Sequence, residues 1–234
     1  MTNSKYRYLI PNGITFTSLS CGIIAILLAA SNQLYPAGIL ILTSYILDLF
    51  DGAAARRLKA GSEFGLQLDS LVDMVSLGTA PSVLAFVHLK NEAVPMVWVW
   101  PVILLFALAG AFRLARFNLL PPKQTGSKDS IGLTISTGGA TLALAVLADL
   151  SKPLITLPDW CFIPLILVVA VLMVSTISFP SFAGIFSSKR RNLILVTLFG
   201  ISIFLMASFF NAWFFWNNTY LGYSLARAGY KRLV

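Results

Sequence analysis

Four aspartates, Asp48, Asp51, Asp69 and Asp73, share one short window of a chain with only nine acidic residues among 234. Asp48, Asp51, Gly52 and Ala55 are spaced i, i+3, i+4 and i+7; Gly65, Asp69 and Asp73 are spaced i, i+4 and i+8. Each set therefore lies on one face of a helix. Packed side by side, the two faces would bring four carboxylates together, and such a group must protonate or bind cations. Hard divalent ions with oxygen ligands fit best, Mg²⁺ first and Mn²⁺ next. Ligands paired two and two across neighbouring helices suit a two-metal site that grips a diphosphate. Gly52, Ala55 and Gly65 lack bulk, so a nucleotide could approach the backbone closely. The structural alternative is helix-end ion pairing with Arg56, Arg57 or Lys59. That is common for one interfacial acid and a poor account of four at these spacings.

The elements that must hold these acids are membrane helices. Hydrophobic residues make up 57% of the chain and charged residues 11%, with a mean hydropathy of +0.82. A soluble domain carries about a quarter charged residues, so this is an integral membrane protein. Apolar runs recur at helical rather than barrel-strand length. The fold expected is an all-α polytopic transmembrane bundle with spans near 14–30, 34–56, 65–87, 95–116, 130–149, 160–178, 191–207 and 208–226. The last two are interrupted by Asn211, Asn217 and Asn218, so one tilted span with an amphipathic tail is the alternative there. Residues 1–13 read as an amphipathic interfacial helix, punctuated by Pro11-Asn12-Gly13 before the first span. The division is then 1–13 interfacial segment, 14–190 transmembrane core, and 191–234 C-terminal helices with a basic tail.

With a cytoplasmic N-terminus and eight spans, only Lys90 and Lys152 of the 17 basic residues fall outside. This obeys the positive-inside rule and puts the aspartates at the cytoplasmic face of the cell membrane. A net charge of +8 carried on short inter-span loops points to anionic membrane lipids and a phosphate-bearing substrate, not nucleic acid. Lys123 and Lys128 read as solvated loop charges, and Lys189, Arg190 and Arg191 as lipid-facing anchors. Cys21 and Cys161 lie inside spans without zinc-like spacing and read as reduced packing residues. His88, bordering an outer loop, reads as a surface histidine. Trp98, Trp100, Trp213 and Trp216 fit interfacial aromatic belts, and Gly138-Gly139 fits close helix packing. No cleavable signal peptide is expected.

The pattern D-x2-D-G-x2-A-R-x8-G-x3-D-x3-D is matched in full by Asp48, Asp51, Gly52, Ala55, Arg56, Gly65, Asp69 and Asp73. It resembles the signature of the CDP-alcohol phosphotransferases. The resemblance implies a six-helix catalytic core, a homodimer, two divalent cations and a CDP-linked donor. It implies that the aspartates hold the metals, that Asp73 is the general base, and that Gly52, Ala55 and Arg56 line the cytidine-diphosphate site.

Outside that signature, several stretches are similar to the serine-using, membrane-embedded branch of the family. They are Pro11-Asn12 with Thr15, Asp69-Ser70-Leu71 followed by Ser76, Gly78, Ala80 and Pro81, the run from Arg113 to Asn118, and Pro180-Ser181-Phe182. One departure is Gly132-Leu133-Thr134-Ile135-Ser136, where that branch often has Gly-Leu-Pro-x-Pro. The implied reaction moves a phosphatidyl group from CDP-diacylglycerol to L-serine and releases CMP. Arg113 and Arg116, at i and i+3, would then hold serine's carboxylate or the lipid phosphate, as guanidinium forks suit both; the bland alternative is that they are positive-inside anchors. Rival readings keep the chemistry with inositol phosphate, glycerol phosphate or choline as acceptor, or make the aspartates part of a divalent-metal transport path.

Overall fold

The computed structural model describes residues 6–58, 62–119, 130–151, 158–180, 189–206 and 208–233. Lys59, Lys123, Lys128, Lys152, Ser181 and Phe182 lie outside the described residues, as does the side chain of Arg56. The helices in chain order are α1 (Tyr6–Ala30), α2 (Leu34–Leu58), α3 (Glu63–Asp73), α4 (Ala80–Asn91), α5 (Met96–Leu119), α6 (Ile135–Leu150), α7 (Phe162–Val174), α8 (Lys189–Met206) and α9 (Phe209–Leu233). A single π-helical segment, Met74–Thr79, joins α3 to α4 without a break. Among the described residues, four stretches are long and apolar enough to cross a membrane: Tyr8–Ala30, Leu34–Ala55, Glu63–Asn91 and Met96–Leu119. The chain is a multi-pass membrane protein.

Each of the first six expected spans coincides with a helix, with three differences at their ends. First, α1 starts at Tyr6 and runs straight through Pro11, so the expected break at Pro11-Asn12-Gly13 does not occur. Pro11 stands early in the helix, where its missing N–H costs one hydrogen bond near a terminus, and its carbonyl takes the Thr15 hydroxyl at 3.0 Å. Second, α6 begins only at Ile135, because Gly132 turns the chain with φ +74° and Thr134 caps the helix by accepting the Thr137 N–H at 3.2 Å. Third, α7 stops at Val174. Beyond it Ser178–Phe179 (β2) pairs antiparallel with Ser130–Ile131 (β1), Ser130 opposite Phe179. The C-terminal region is two helices, α8 and α9, and at about 1.5 Å per residue the latter is long enough to span.

Helix α6 occupies the middle of the bundle, buried almost all round from Ile135 to Ala148 and packed on α2, α4, α7 and α9. In lipid, helices associate through close packing and interhelical hydrogen bonds, not through exclusion of water. Both devices are present. A side chain at Gly139 would collide with the Leu77 carbonyl, and one at Gly22 with Ser76. Ser18 of α1 and Ser44 of α2 share a hydroxyl contact of 2.5 Å, and the Ser76 hydroxyl donates to the Ser18 carbonyl at 3.1 Å. Asn217 of α9 donates to the Thr141 hydroxyl of α6 at 2.8 Å, so one of the asparagines that interrupts the apolar run is an interhelical tie. The short turn between α1 and α2 closes with the Gln33 N–H on the Leu28 carbonyl at 2.8 Å and Asn32 at φ 63°. Asparagine is among the few non-glycine residues that sit easily there.

Candidate active site

Helices α2 and α3 present the acids to each other. Asp48 and Asp51 sit one turn apart in the second half of α2, and Asp69 and Asp73 one turn apart at the end of α3. One carboxylate oxygen from each of Asp48, Asp51 and Asp69 lies within 4.8 Å of the others. Asp73 joins them, close enough to Asp48, Asp51 and Asp69 to interact electrostatically with all three. Asp51 and Asp73 are buried, at 5% and 7% exposure, which is costly for carboxylates in a membrane protein unless partners are supplied.

Those partners come from three further helices. The Thr15 hydroxyl of α1 donates to Asp51 Oδ2 at 2.8 Å while also facing the Pro11 carbonyl. The Ser136 side chain, in the first turn of α6, stands beside Asp48. Arg113 of α5, buried at 8% exposure, interacts electrostatically with Asp73, Asp48 and Asp69. Its guanidinium lies 5.2 Å from the Phe117 ring centroid. Among the described residues, Arg113 is the guanidinium that faces these carboxylates. An all-oxygen cluster of this kind fits hard divalent cations, and the Asp48–Asp51–Asp69 triplet is spaced to share one.

The entrance to α3 is shaped for close approach. Ser62 caps the helix by accepting the Gly65 N–H at 3.0 Å. A Cβ on Gly65 would come 3.1 Å from the Ser62 hydroxyl and 3.8 Å from Asn12 Oδ1, so α1 meets α3 here. Gly52 and Ala55 lie half-buried on α2, one and four residues past Asp51. The π segment follows directly after Asp73; such a segment shifts the register of the helix and is frequent beside functional residues. At the end of α5, Asn118 donates to the Ser70 hydroxyl at 3.0 Å, fastening α5 to the face that carries Asp69 and Asp73.

Arg116 is placed differently from Arg113. Its guanidinium donates to the carbonyls of Val174 at 2.8 Å, Ser175 at 3.1 Å, Ile131 at 3.2 Å and Met173 at 3.3 Å. It thus caps the C-terminus of α7, whose last carbonyls lack helical partners, and ties it to the approach to α6. Gly132 makes room for this clamp: a Cβ there would stand 2.6 Å from both Arg116 Nη2 and the Met173 carbonyl. The Tyr220 hydroxyl of α9 secures the same region by donating to the Pro180 carbonyl at 2.9 Å.

His88 corrects its expected surface position. It is 1% exposed, because α4 packs against α6 and the ring lies against Phe162, at the end of the bundle away from the aspartates.

The chain matches the family model "CDP-alcohol phosphatidyltransferase" over residues 8–175. It belongs to that family. The match begins in α1 and ends just past α7, so it covers every element that carries an aspartate, Thr15, Ser136 or Arg113. Among curated relatives, the chain is 34% identical over 198 residues to the CDP-diacylglycerol–serine O-phosphatidyltransferase of Helicobacter pylori, covering 82% of this chain and 80% of that relative. It is 34% identical over 173 residues to the enzyme of the same name from Bacillus subtilis, covering 74% and 90%. It is 32% identical over 183 residues to the archaetidylserine synthase of Methanothermobacter thermautotrophicus, covering 76% and 72%.

Thr15 and Ser136 were not legible as site residues. Thr15 stands 36 positions before its partner, and a hydroxyl beside a carboxylate has no periodic signal. Thr15 did belong to the resembling stretch, and Ser136 to the stretch that departs from it.

Proposed function

We propose that this protein transfers the phosphatidyl group of CDP-diacylglycerol to the hydroxyl of L-serine, releasing CMP and leaving phosphatidylserine in the bilayer. The observation that carries this reading is the convergence of Asp48, Asp51, Asp69 and Asp73 with Arg113 at one end of the bundle. The relatives support the acceptor: their names share serine while the lipid differs between diacylglycerol and the archaeal lipid.

Asp48, Asp51, Asp69 and Asp73 are the residues that would hold two divalent cations, Mg²⁺ or Mn²⁺. When bound, such ions neutralise a diphosphate and stabilise the charge on the departing CMP. Asp73 takes the proton from the serine hydroxyl. The serine oxygen forms its bond to the phosphorus that carries diacylglycerol, and the bond from that phosphorus to the CMP oxygen breaks. The Thr15 hydroxyl holds the Asp51 carboxylate, and Ser136 stands beside Asp48 in the same cluster as Asp73. Gly52, Ala55 and Gly65 give the cytidine diphosphate room against the backbone, with Arg56 beside it. Arg113 is the cation we place on serine's carboxylate or on the lipid phosphate. Arg116 belongs to the scaffold in this reading, because its donors already meet four carbonyls. The site opens at the cytoplasmic face, where the basic loops meet the inner leaflet, and the working unit is a homodimer.

The test is a panel of acceptors. Purified protein with Mg²⁺ and CDP-diacylglycerol receives serine, inositol phosphate, glycerol phosphate or choline, and CMP release is measured. Serine should give the largest release, with phosphatidylserine as product. Release with serine no greater than with water would overturn the acceptor. Release with none of the four, together with Mg²⁺ flux into vesicles, would overturn the enzyme reading itself.

A further inference from the structure

The end of the bundle remote from the aspartates carries a second group of ligand-type side chains. His88 lies on the last turn of α4 and Glu92, at i+4, is its C-cap, hence near one face, and Asp149 lies on the last turn of α6. A ring nitrogen of His88 and one carboxylate oxygen each of Glu92 and Asp149 all lie within 4.8 Å of one another. From Asp73 to His88 the continuous helical rod rises roughly 22 Å at about 1.5 Å per residue, so this group is remote from the reaction centre.

Two observations set it apart from an ordinary cluster of acids. His88 is 1% exposed, yet neither of its ring nitrogens has a hydrogen-bond partner among the described residues. Nε2 approaches Asp149 Oδ2 at 3.4 Å without hydrogen-bond geometry. A buried polar group left in that state costs free energy unless something else engages it. The ring is fixed under Phe162, with centroids 4.9 Å apart, so it cannot swing out to water.

The charges add a second argument. Glu92 is the C-cap of α4, and Asp149 sits two residues before the C-cap of α6. Both carboxylates therefore meet the negative ends of helix dipoles, the unfavourable location for an acid. Asp159 acts electrostatically on both His88 and Asp149. Among the described residues, three acids surround one imidazole, and even a protonated His88 would leave the group negative.

We infer that His88, Glu92 and Asp149 form a second metal site, which takes one borderline divalent ion of the zinc class and staples the end of α4 to the end of α6. The donor set decides the class. One imidazole nitrogen with two carboxylates favours Zn²⁺ or Co²⁺ over Mg²⁺, whereas the all-oxygen aspartate cluster favours the hard ions. Glu92 is exposed, so the ion enters from the surface and keeps an outward position for water. This inference does not rest on the reaction assigned above.

Cobalt is the probe, because its visible absorption reports nitrogen ligation and low coordination number. Full-length protein in detergent, held in excess Mg²⁺ to fill the aspartate cluster, is titrated with Co²⁺. One Co²⁺ per chain should bind with a visible band, and Zn²⁺ should displace it. Removing even an outer-shell partner commonly weakens metal binding roughly 10- to 100-fold. The double substitution Glu92→Gln and Asp149→Asn, like His88→Ala, should weaken it at least that much. Should His88→Ala fail to fold, the exposed Glu92→Gln alone keeps the test, with the same expected loss. A titration with no Co²⁺ bound in excess Mg²⁺ would overturn the site and leave a simple His88–Asp149 ion pair. Unchanged cobalt affinity in the double variant would overturn it as well.

Discussion

The two ends of the α4–α6 pair pose the same electrostatic problem and meet it with different donors. At one end, α2 and α3 bring three carboxylate oxygens within 4.8 Å, and at the other, α4 and α6 do the same with two carboxylates and an imidazole. The aspartate end is supported by neighbours that grip its acids: the Thr15 hydroxyl on Asp51, Ser136 beside Asp48, and Arg113 facing three of the four. Among the described residues the histidine end has no such grip, and its imidazole nitrogens are unsatisfied. Support by hydroxyls and a guanidinium holds carboxylates in place while leaving lone pairs for a substrate-bound ion. That is what a reaction centre needs, and a staple does not.

Removing metal should have the largest effect on this contrast. Chelation should abolish CMP release from CDP-diacylglycerol, and Mg²⁺ or Mn²⁺ alone should restore it. Restoration by Zn²⁺ but not by Mg²⁺ would assign the reaction to the wrong donor set. Next comes Arg113→Ala, which removes a charge-assisted contact valued at about 1.5–3 kcal/mol. The serine KM should rise roughly 10- to 150-fold by that figure; an unchanged KM would make Arg113 a membrane anchor only. Thr15→Val keeps the shape and deletes the hydroxyl on Asp51. The Mg²⁺ concentration for half-maximal rate should rise roughly tenfold, as expected for losing one hydrogen bond to a charged group. An unaltered Mg²⁺ requirement would remove Thr15 from the site. Arg116→Ala has the smallest effect on chemistry. It should lower the melting temperature by several degrees while the serine KM stays within about twofold, since its carbonyl contacts are structural. A large KM change with no thermal effect would exchange the roles of the two arginines.

The contrast between Arg113 and Arg116 also shows where a sequence stops being informative. Both are basic, one turn apart, at the same end of α5, and periodicity places them on nearly the same face. Their guanidinium groups nevertheless diverge, one toward Phe117 and the other toward Phe112. What separates them is tertiary: the aspartates of α3 lie near one and the last carbonyls of α7 beside the other. The aspartates were legible because their spacing is helical and their cost in a membrane is high. The helices were legible because hydropathy alone sets them. Pro11 was misread as a break because its cost depends on how far it stands from the helix start. His88 was misread because proximity to a loop says nothing about what α6 and α7 cover. The π segment at Met74–Thr79 leaves no mark in composition, since it is a change of register within an otherwise helical run.

Asp73 tests the central claim most directly. Labelled serine and CDP-diacylglycerol are supplied with Mg²⁺ to the wild-type protein and to Asp73→Asn of matching melting temperature, and phosphatidylserine and CMP are counted together. The wild-type should make the two products in equal amounts. Asp73→Asn should lose roughly a thousandfold in rate, within the range for removing a general base. Retention of more than about a tenth of the rate, well outside that range, or release of CMP without serine incorporation by the wild-type, would contradict the account.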